Sequence, residues 1–179
     1  MPLIAPIKPP ALSLTDIDGQ PIELRGEPLL LFSLFREATC PFCNFRVYEL
    51  TRNYPDLVQR GLSIVVVFVS PEEDVRKFIA RQPRPFRMVA DPEGTAHRIV
   101  QGESSLRGKL WAMIRRMPAL LMGMGMVGMR GMFTGSLMPA DFLIDEKGYI
   151  VETYYGRDAG DHMPMSVVER HLDALAACK

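Results

Sequence analysis

Residues 28–50 read PLLLFSLFREATCPFCNFRVYEL, an apolar run that gives way to two cysteines and then to a patterned, charge-bearing stretch. The run PLLLFSLF lacks polar alternation, as expected of a strand buried on both faces. From Pro41 to about Asn53 apolar residues recur with a helical period, and Pro41 falls in the first turn, where its missing N–H costs nothing. Cys40 and Cys43 therefore sit at a strand-to-helix junction, one helical turn apart. A thiol placed there faces unpaired backbone N–H groups and the positive end of the helix dipole. Such surroundings favour thiolate and lower a cysteine pKa from about 8.5 into the range of about 3.5–7.5. Arg36 and Arg46 flank the pair and add positive charge if they point toward it.

On either side of this stretch the pattern continues. LSIVVVFVS reads as a second buried strand, and Ser70, Pro71 and Glu73 in SPEEDVRKFIARQ form a capping-box start for another helix. FRMVADPEGTAHRIVQ is a short strand, a turn and a short helix. Upstream, ALSLTDIDGQPIELRG predicts two short strands around an Asp-Gly turn, preceded by a proline-broken segment that wraps the surface. Downstream, MPADFLIDEKGYIVETYYG predicts an antiparallel hairpin, and SVVERHLDALAA a last helix with a second capping box from Ser166 and Glu169. This order is that of an α/β fold with a central mixed β-sheet flanked by helices and an N-terminal β-hairpin. We read residues 1–179 as one domain without tandem repeats, interrupted by an insertion at about 104–136.

Bulk composition narrows the function. A formal net charge of zero argues against a general nucleic-acid binder, which needs a basic surplus to neutralise phosphate. No apolar run is long enough to span a bilayer, and the first residues lack the pattern of a secretory signal, so a cytoplasmic protein is expected. Three cysteines are too few for a stapled scaffold. A close pair in a reducing compartment is usually catalytic or metal-binding. Zinc is disfavoured because no second Cys-x-x-Cys exists and the three histidines are scattered. His97 and His171 read as surface residues of helices. No phosphate-binding glycine loop, metalloprotease motif or serine elbow is present.

A buried strand, a Cys-x-x-Cys at the next helix start and a Met-Pro before a later strand together resemble the thioredoxin fold. In that fold the proline is cis and packs against the active-site sulfurs, and the resemblance gives that place to Pro139, with Met138 before it. VADPEGTAHRI, ADFLIDEKGYIVETYYGRD and the N-terminal hairpin are similar to the peroxiredoxin-like branch, the alkyl hydroperoxide reductase/thiol-specific antioxidant (AhpC/TSA) family. FREATCPFCNFRVYEL matches the arginine-plus-Cys-Pro-aromatic-Cys-Asn signature of its Cys-x-x-Cys members. The likeness runs from about residue 11 onward, except the methionine-rich middle. Two family features are missing: the Pro-x-x-x-Thr/Ser-x-x-Cys loop fits neither cysteine, and Pro139 stands where a second arginine is usual. Thioredoxin's buried aspartate corresponds here to Leu34.

The resemblance implies a thiol-dependent oxidoreductase that cycles Cys40 and Cys43 between dithiol and disulfide. In a redox reading Cys40 is the exposed nucleophile and Cys43 resolves; in a strict peroxidatic reading the roles reverse. Arg36, Pro41, Pro139 and Arg157 are the supporting residues, and Phe42, Trp111 and Met138 the substrate or partner groove. Arg157 otherwise belongs to a solvated turn, YYGRDAGDH, before the last helix. No metal or organic cofactor is implied; electrons come from a thioredoxin- or glutathione-type reductant, and the substrate is a peroxide or a disulfide, which a protein could carry. An oligomer is compatible with this reading. A protein-disulfide reductase without peroxidase activity is an alternative, as is a partner- or metal-binding module. Cys178 is a helix-end residue or a distant resolving thiol.

The segment LRGKLWAMIRRMPALLMGMGMVGMRGMFTGSLM is unusual. Residues 104–140 contain five basic residues and no acidic one. Trp111 and Ile114 fit a short amphipathic helix ending at Pro118, beyond which alternating Met and Gly define no element. The simplest expectation is an insertion whose methionines pack over the core. A flexible apolar lid beside the cysteines, a membrane-surface patch over 104–133, and Cu(I) ligation by Met122, Met124 and Met126 are the other readings.

Overall fold

The computed structural model describes residues 2–80, 84–100, 102, 104–128 and 137–177. Cys178, and with it the question of a distant resolving thiol, lies outside the described residues. Five strands form one sheet in the order β3-β2-β1-β4-β5. Strand β1 (Leu29–Phe35), buried along its whole length, pairs in parallel with β2 (Leu62–Phe68) and antiparallel with β4 (Ala140–Asp145). On one flank β3 (Arg87–Ala90) runs parallel to β2, and on the other β5 (Ile150–Tyr155) closes the predicted hairpin with β4. The central position of β1 explains why it is apolar on both faces, with Ser33 its one polar residue.

Side-chain alternation along β1 sorts the interior into two layers. Leu29, Leu31 and Phe35 join α1 (Pro41–Gln59) and α6 (Met165–Ala177) through Val47, Leu50, Val168 and Leu172. Leu30, Phe32 and Leu34 face α3 (Thr95–Ile99) and the N-terminal segment. Asp91 starts α3 by accepting N–H bonds from Thr95 (2.9 Å) and Ala96 (2.8 Å). Beyond β2, a single turn α2 (Glu72–Asp74) runs into a π-helical turn over Val75–Ile79.

Several expectations need correction. Helix α1 continues past Asn53 to Gln59 because Pro55 faces outward and buried Leu57 anchors the last turn. The N-terminal hairpin shrinks to one bridge, Thr15–Pro21, since the Asp16 carboxylate takes the amides of Asp18 and Gln20 into a local turn. Neither capping box forms: Pro71 caps α2 while the Ser70 hydroxyl is used elsewhere, and Ser166 already lies inside α6. His97 is only 2% exposed, and both of its ring nitrogens are without hydrogen-bond partners.

Between Leu106 and Val127 the methionine-rich middle is helical apart from a turn at Arg116. Helix α4 (Leu106–Arg115) carries Trp111 and Ile114, and α5 (Met117–Val127) continues through the Met-Gly alternation. Gly123 shows why glycine is tolerated there. A Cβ on it would lie 2.1 Å from the Pro41 carbonyl oxygen, so α5 crosses the start of α1 at backbone contact. Met113 and Met124 pack against the core as expected, whereas Met117 (48% exposed) and Met122 (45%) do not.

Two outcomes follow from this packing. Replacement Gly123→Ala forces α5 off Pro41 and should cost about 1–3 kcal/mol of stability, read as a lower urea midpoint together with faster alkylation of Cys40. Burial holds the His97 pKa down to about 4 against an ordinary 6.5, with Asp91 opposing weakly. The unfolded chain therefore takes up a proton between those values that the folded one refuses. Stability should fall by roughly 1.4 kcal/mol per pH unit as acid is added across that window. In His97→Leu the thermal midpoint should lose this dependence.

Candidate active site

The loop between β1 and α1 is held from three directions. Its Ala38 amide donates to Ser70 Oγ (2.9 Å), and Val69 N–H donates to the Arg36 carbonyl (2.8 Å). From inside α1, Asn44 Nδ2 donates to the carbonyls of Ala38 (2.7 Å) and Cys40 (3.0 Å). Cys40 occupies the N-cap position in extended backbone geometry, Pro41 opens the helix, and Cys43 lies in its first turn. The two cysteines are free thiols and belong to one buried cluster with Phe42, Ala112 of α4 and Leu120 of α5.

This burial corrects one expectation. Cys40 is 1% exposed rather than open to solvent, and Cys43 is 0% exposed. The cause is α5, seated on Pro41, together with the Phe42 ring, which packs against Gly160 where a Cβ would come within 3.1 Å of it.

The two sulfurs are driven apart in acidity. The Cys43 thiol hydrogen-bonds the Cys40 sulfur and is the largest influence lowering the Cys40 pKa to about 6. Burial opposes this shift; the Arg36 guanidinium, whose Nη1 stands 3.6 Å from Cys40 Sγ, and the amides of Cys43 and Phe42 reinforce it. Cys43 moves the opposite way, raised well above the ordinary thiol range by burial and by its negative neighbour. The helix-opening amides thus play a smaller part than the partner thiol and Arg36. Arg46 does not point at the sulfurs: it is buried, donates to the Met163 carbonyl (2.8 Å) and pairs with Glu49 (3.7 Å).

The remaining predicted residues are dispersed. Pro139 precedes β4, whose Ala140 pairs with Leu34, so it stands at the sheet end from which the cysteine loop departs. Its peptide bond is trans, unlike the expected cis; among the described residues the cis bond is Ala5–Pro6. Pro139 follows the Ser104–Leu137 bridge, and its carbonyl accepts from the Gly156 N–H (2.9 Å). Met138 is buried. Phe42 lines a 520 Å³ cleft with Phe45, Arg46, Pro118, Ala119 and His162. Trp111 and Arg157 line a separate 690 Å³ cleft with Tyr154 and Asp158. Arg157 is exposed and is tied down by its backbone, whose N–H donates to Asp161 (2.9 Å).

A polar network beneath the first cleft was not foreseen. The YYGRDAGDH loop is no solvated turn: Asp158 is 5% exposed and His162 7%. Arg116 of the α4–α5 joint binds Asp158 and Asp161 (both 2.8 Å), and Tyr154 also donates to Asp161 (3.0 Å). His162 Nδ1 meets the Asp141 carboxylate at 3.1 Å, and its Nε2 has no partner. Asp141 also accepts from the Met163 amide (2.6 Å) and the Ser33 hydroxyl. The signal was present in MPADFLID, where a carboxylate interrupts a buried strand and requires partners. Although burial works the other way, His162, Arg46 and Ser33 hold the Asp141 pKa below its usual 3.8. Among the described residues no group of three or more His, Cys, Asp or Glu could hold a metal.

Removing the Asp141 carboxylate strands His162, Ser33 and the Met163 amide together. Asp141→Ala should therefore lose about 3–5 kcal/mol in denaturant titrations. Because the folded pKa is depressed, the carboxylate's contribution is complete above the ordinary carboxylate pKa and disappears as pH falls below it. The difference between wild type and Asp141→Ala should accordingly shrink in strong acid.

Comparisons with known proteins agree with this architecture. The AhpC/TSA family profile matches residues 8–153. The prostamide/prostaglandin F synthase of Salmo salar is 24% identical over 182 residues, 91% of this chain and 85% of that protein. Peroxidoxin BcpB from Mycobacterium tuberculosis superposes with a TM-score of 0.65 at 15% identity, covering 97% of this chain and 96% of that one. Xanthomonas campestris peroxiredoxin Q gives 0.61 at 16%, covering 93% and 90%. A putative thiol:disulfide interchange protein DsbE from Chlorobium tepidum gives 0.59 at 18%, covering 94% of each chain. At such identities the structural likenesses speak to the fold, which is that of thioredoxin. The sequence match over most of the chain settles the family: this protein is a thiol oxidoreductase of the AhpC/TSA family.

Proposed function

We propose that the protein reduces hydroperoxides carried on apolar molecules, with Cys40 attacking and Cys43 resolving. One observation carries this reading: the Cys40 sulfur is almost wholly shielded from water with the Arg36 guanidinium 3.6 Å away, surroundings that lower its pKa while burial raises that of Cys43. A thiolate so enclosed is reached by a small O–O bond more readily than by the disulfide of a folded protein. The adjoining cleft combines apolar walls from Phe42, Phe45, Pro118, Ala119, Met163 and Pro164 with the charged or polar Arg46, Glu49, Arg116, Asp161 and His162, so it suits a molecule with an apolar chain and a polar group, in keeping with the name of the Salmo salar relative.

The Cys40 thiolate attacks the distal peroxide oxygen, the O–O bond breaks, and the alkoxide leaves as alcohol after taking a proton, with Cys40 now a sulfenic acid. Cys43 sulfur then attacks Cys40 sulfur, water leaves, and a Cys40–Cys43 disulfide forms. Two electrons and two protons from a thioredoxin- or glutathione-type thiol restore the dithiol. The reaction needs no organic or metal cofactor, and the resting dithiol suits a reducing compartment such as the cytoplasm.

Mixing reduced protein with stoichiometric cumene hydroperoxide should remove both thiols as an intramolecular disulfide, far faster than free cysteine reacts. Cys43→Ser should stop at a dimedone-reactive sulfenic acid on Cys40, and Cys40→Ser should be inert. Insulin reduction without peroxide consumption would instead identify a disulfide reductase, and failure in both assays a binding module. Iodoacetamide trapping should also rise through about pH 6 for the more reactive thiol. Arg36→Met and Cys43→Ala should each move that transition toward the ordinary thiol range near about 8.5.

A further inference from the structure

Among the described residues nine large apolar side chains stand exposed, and six of them lie on the outer side of α4 and α5. They are Leu110 (62%), Trp111 (56%) and Ile114 (64%), then Met117 (48%), Leu121 (60%) and Met122 (45%). At 3.6 residues per turn the first three share the arc of α4 away from buried Ala112. The second three share the arc of α5 opposite buried Leu120 and Gly123. The six lie within thirteen residues on two helices that meet at Arg116, and we treat them as one apolar ridge; isolated exposed apolar residues would need no explanation.

Charge tells what the ridge suits. Residues 104–140 carry five cations and no anion, so the rest of this chain of net charge zero holds a balancing excess of acid. Arg116 is engaged by Asp158 and Asp161, but Arg107 and Arg115 are exposed. By helical position Arg107 falls between Ile114 and Trp111, and Arg115 borders Trp111. The outward arc of α5 bears no charge at all. An apolar ridge with a tryptophan and bordering arginines has the chemistry of helices that lie in the headgroup layer of an anionic bilayer. No helix among the described residues is long and apolar enough to cross a membrane, so such contact is superficial.

We propose that α4 and α5 dock the protein on the surface of an anionic phospholipid bilayer, apolar ridge in the acyl boundary and Arg107 and Arg115 among the phosphates. A second copy of the chain is a poorer occupant, because a two-fold contact would bring these like-charged arginines together. The inner side of α5 rests on Pro41, so docking places the cysteine pair about one helix diameter, roughly 10 Å, from the lipid. The docking claim does not depend on the proposed peroxide chemistry, and its test involves no turnover.

Trp111 is the chain's one tryptophan and reports on the ridge directly. The full-length reduced protein is titrated with phosphatidylcholine vesicles, with and without phosphatidylglycerol, while emission and co-sedimentation are followed. We expect a blue shift, quenching by brominated acyl chains, and binding at least about tenfold tighter to the anionic vesicles at low salt. Arg107→Glu with Arg115→Glu should remove that preference, and Leu121→Asp should abolish binding, each with an unchanged circular dichroism spectrum. Emission unmoved by either vesicle, or equal binding to both, would overturn the proposal. So would a lipid-free shift that grows with protein concentration alongside a dimer in sedimentation, since the ridge would then be a self-association face.

Discussion

A pair of cysteines buried at the start of α1 is the constraint around which this molecule is arranged. Taking a thiolate from solvent is unfavourable unless charge and hydrogen bonds replace the lost hydration. Here the replacement comes from the Cys43 thiol, the Arg36 guanidinium and two helix-opening amides. Each of these is useful only while the loop before α1 keeps its shape. Ser70, reaching from the end of β2, and Asn44, reaching back from α1, fix that shape through three hydrogen bonds. Residues with no chemistry of their own therefore decide whether Cys40 can be reactive.

The enclosure has a second wall. Helix α5 touches α1 at backbone distance through Gly123, and Arg116 at its start is clamped by Asp158 and Asp161 of the loop after β5. That same loop brings His162 onto Asp141, which is tied across to Ser33 of the central strand. Helices α4 and α5 of the methionine-rich segment thus pack on the cysteine cluster through Ala112, Leu120 and Gly123. One side of α5 closes over the cysteines and the other remains apolar and uncovered, a division that a helix of uniform composition can support because Met, Leu and Gly make no polar demands.

Much of this was legible in the chain. Period and composition identified the strands at residues 29–35 and 62–68, the hairpin at 140–155 and the helix behind the cysteines, since local backbone preference and burial demand the same pattern there. The pair Cys40-Pro41-Phe42-Cys43 at a strand-to-helix junction announced thiol chemistry. Errors arose where one residue can serve two purposes. Ser70 reads locally as a helix cap, but its hydroxyl is taken by Ala38; His97 reads as part of a solvated helix, yet Gly102 lies against its ring.

By itself, then, the sequence determined the core strands, the helix behind the cysteines, the family and the place of the cysteine pair at a strand-to-helix junction, because these follow from short-range pattern and from residue type. Only the tertiary structure decided that both sulfurs are hidden and that Arg36, rather than Arg46 or Arg157, stands beside Cys40, where its guanidinium lowers the Cys40 pKa while burial raises that of Cys43. Those outcomes depend on distances between groups far apart in the chain, notably Gly123 on Pro41 and His162 on Asp141. No periodicity encodes such distances, because packing sets them after the helices and strands have formed.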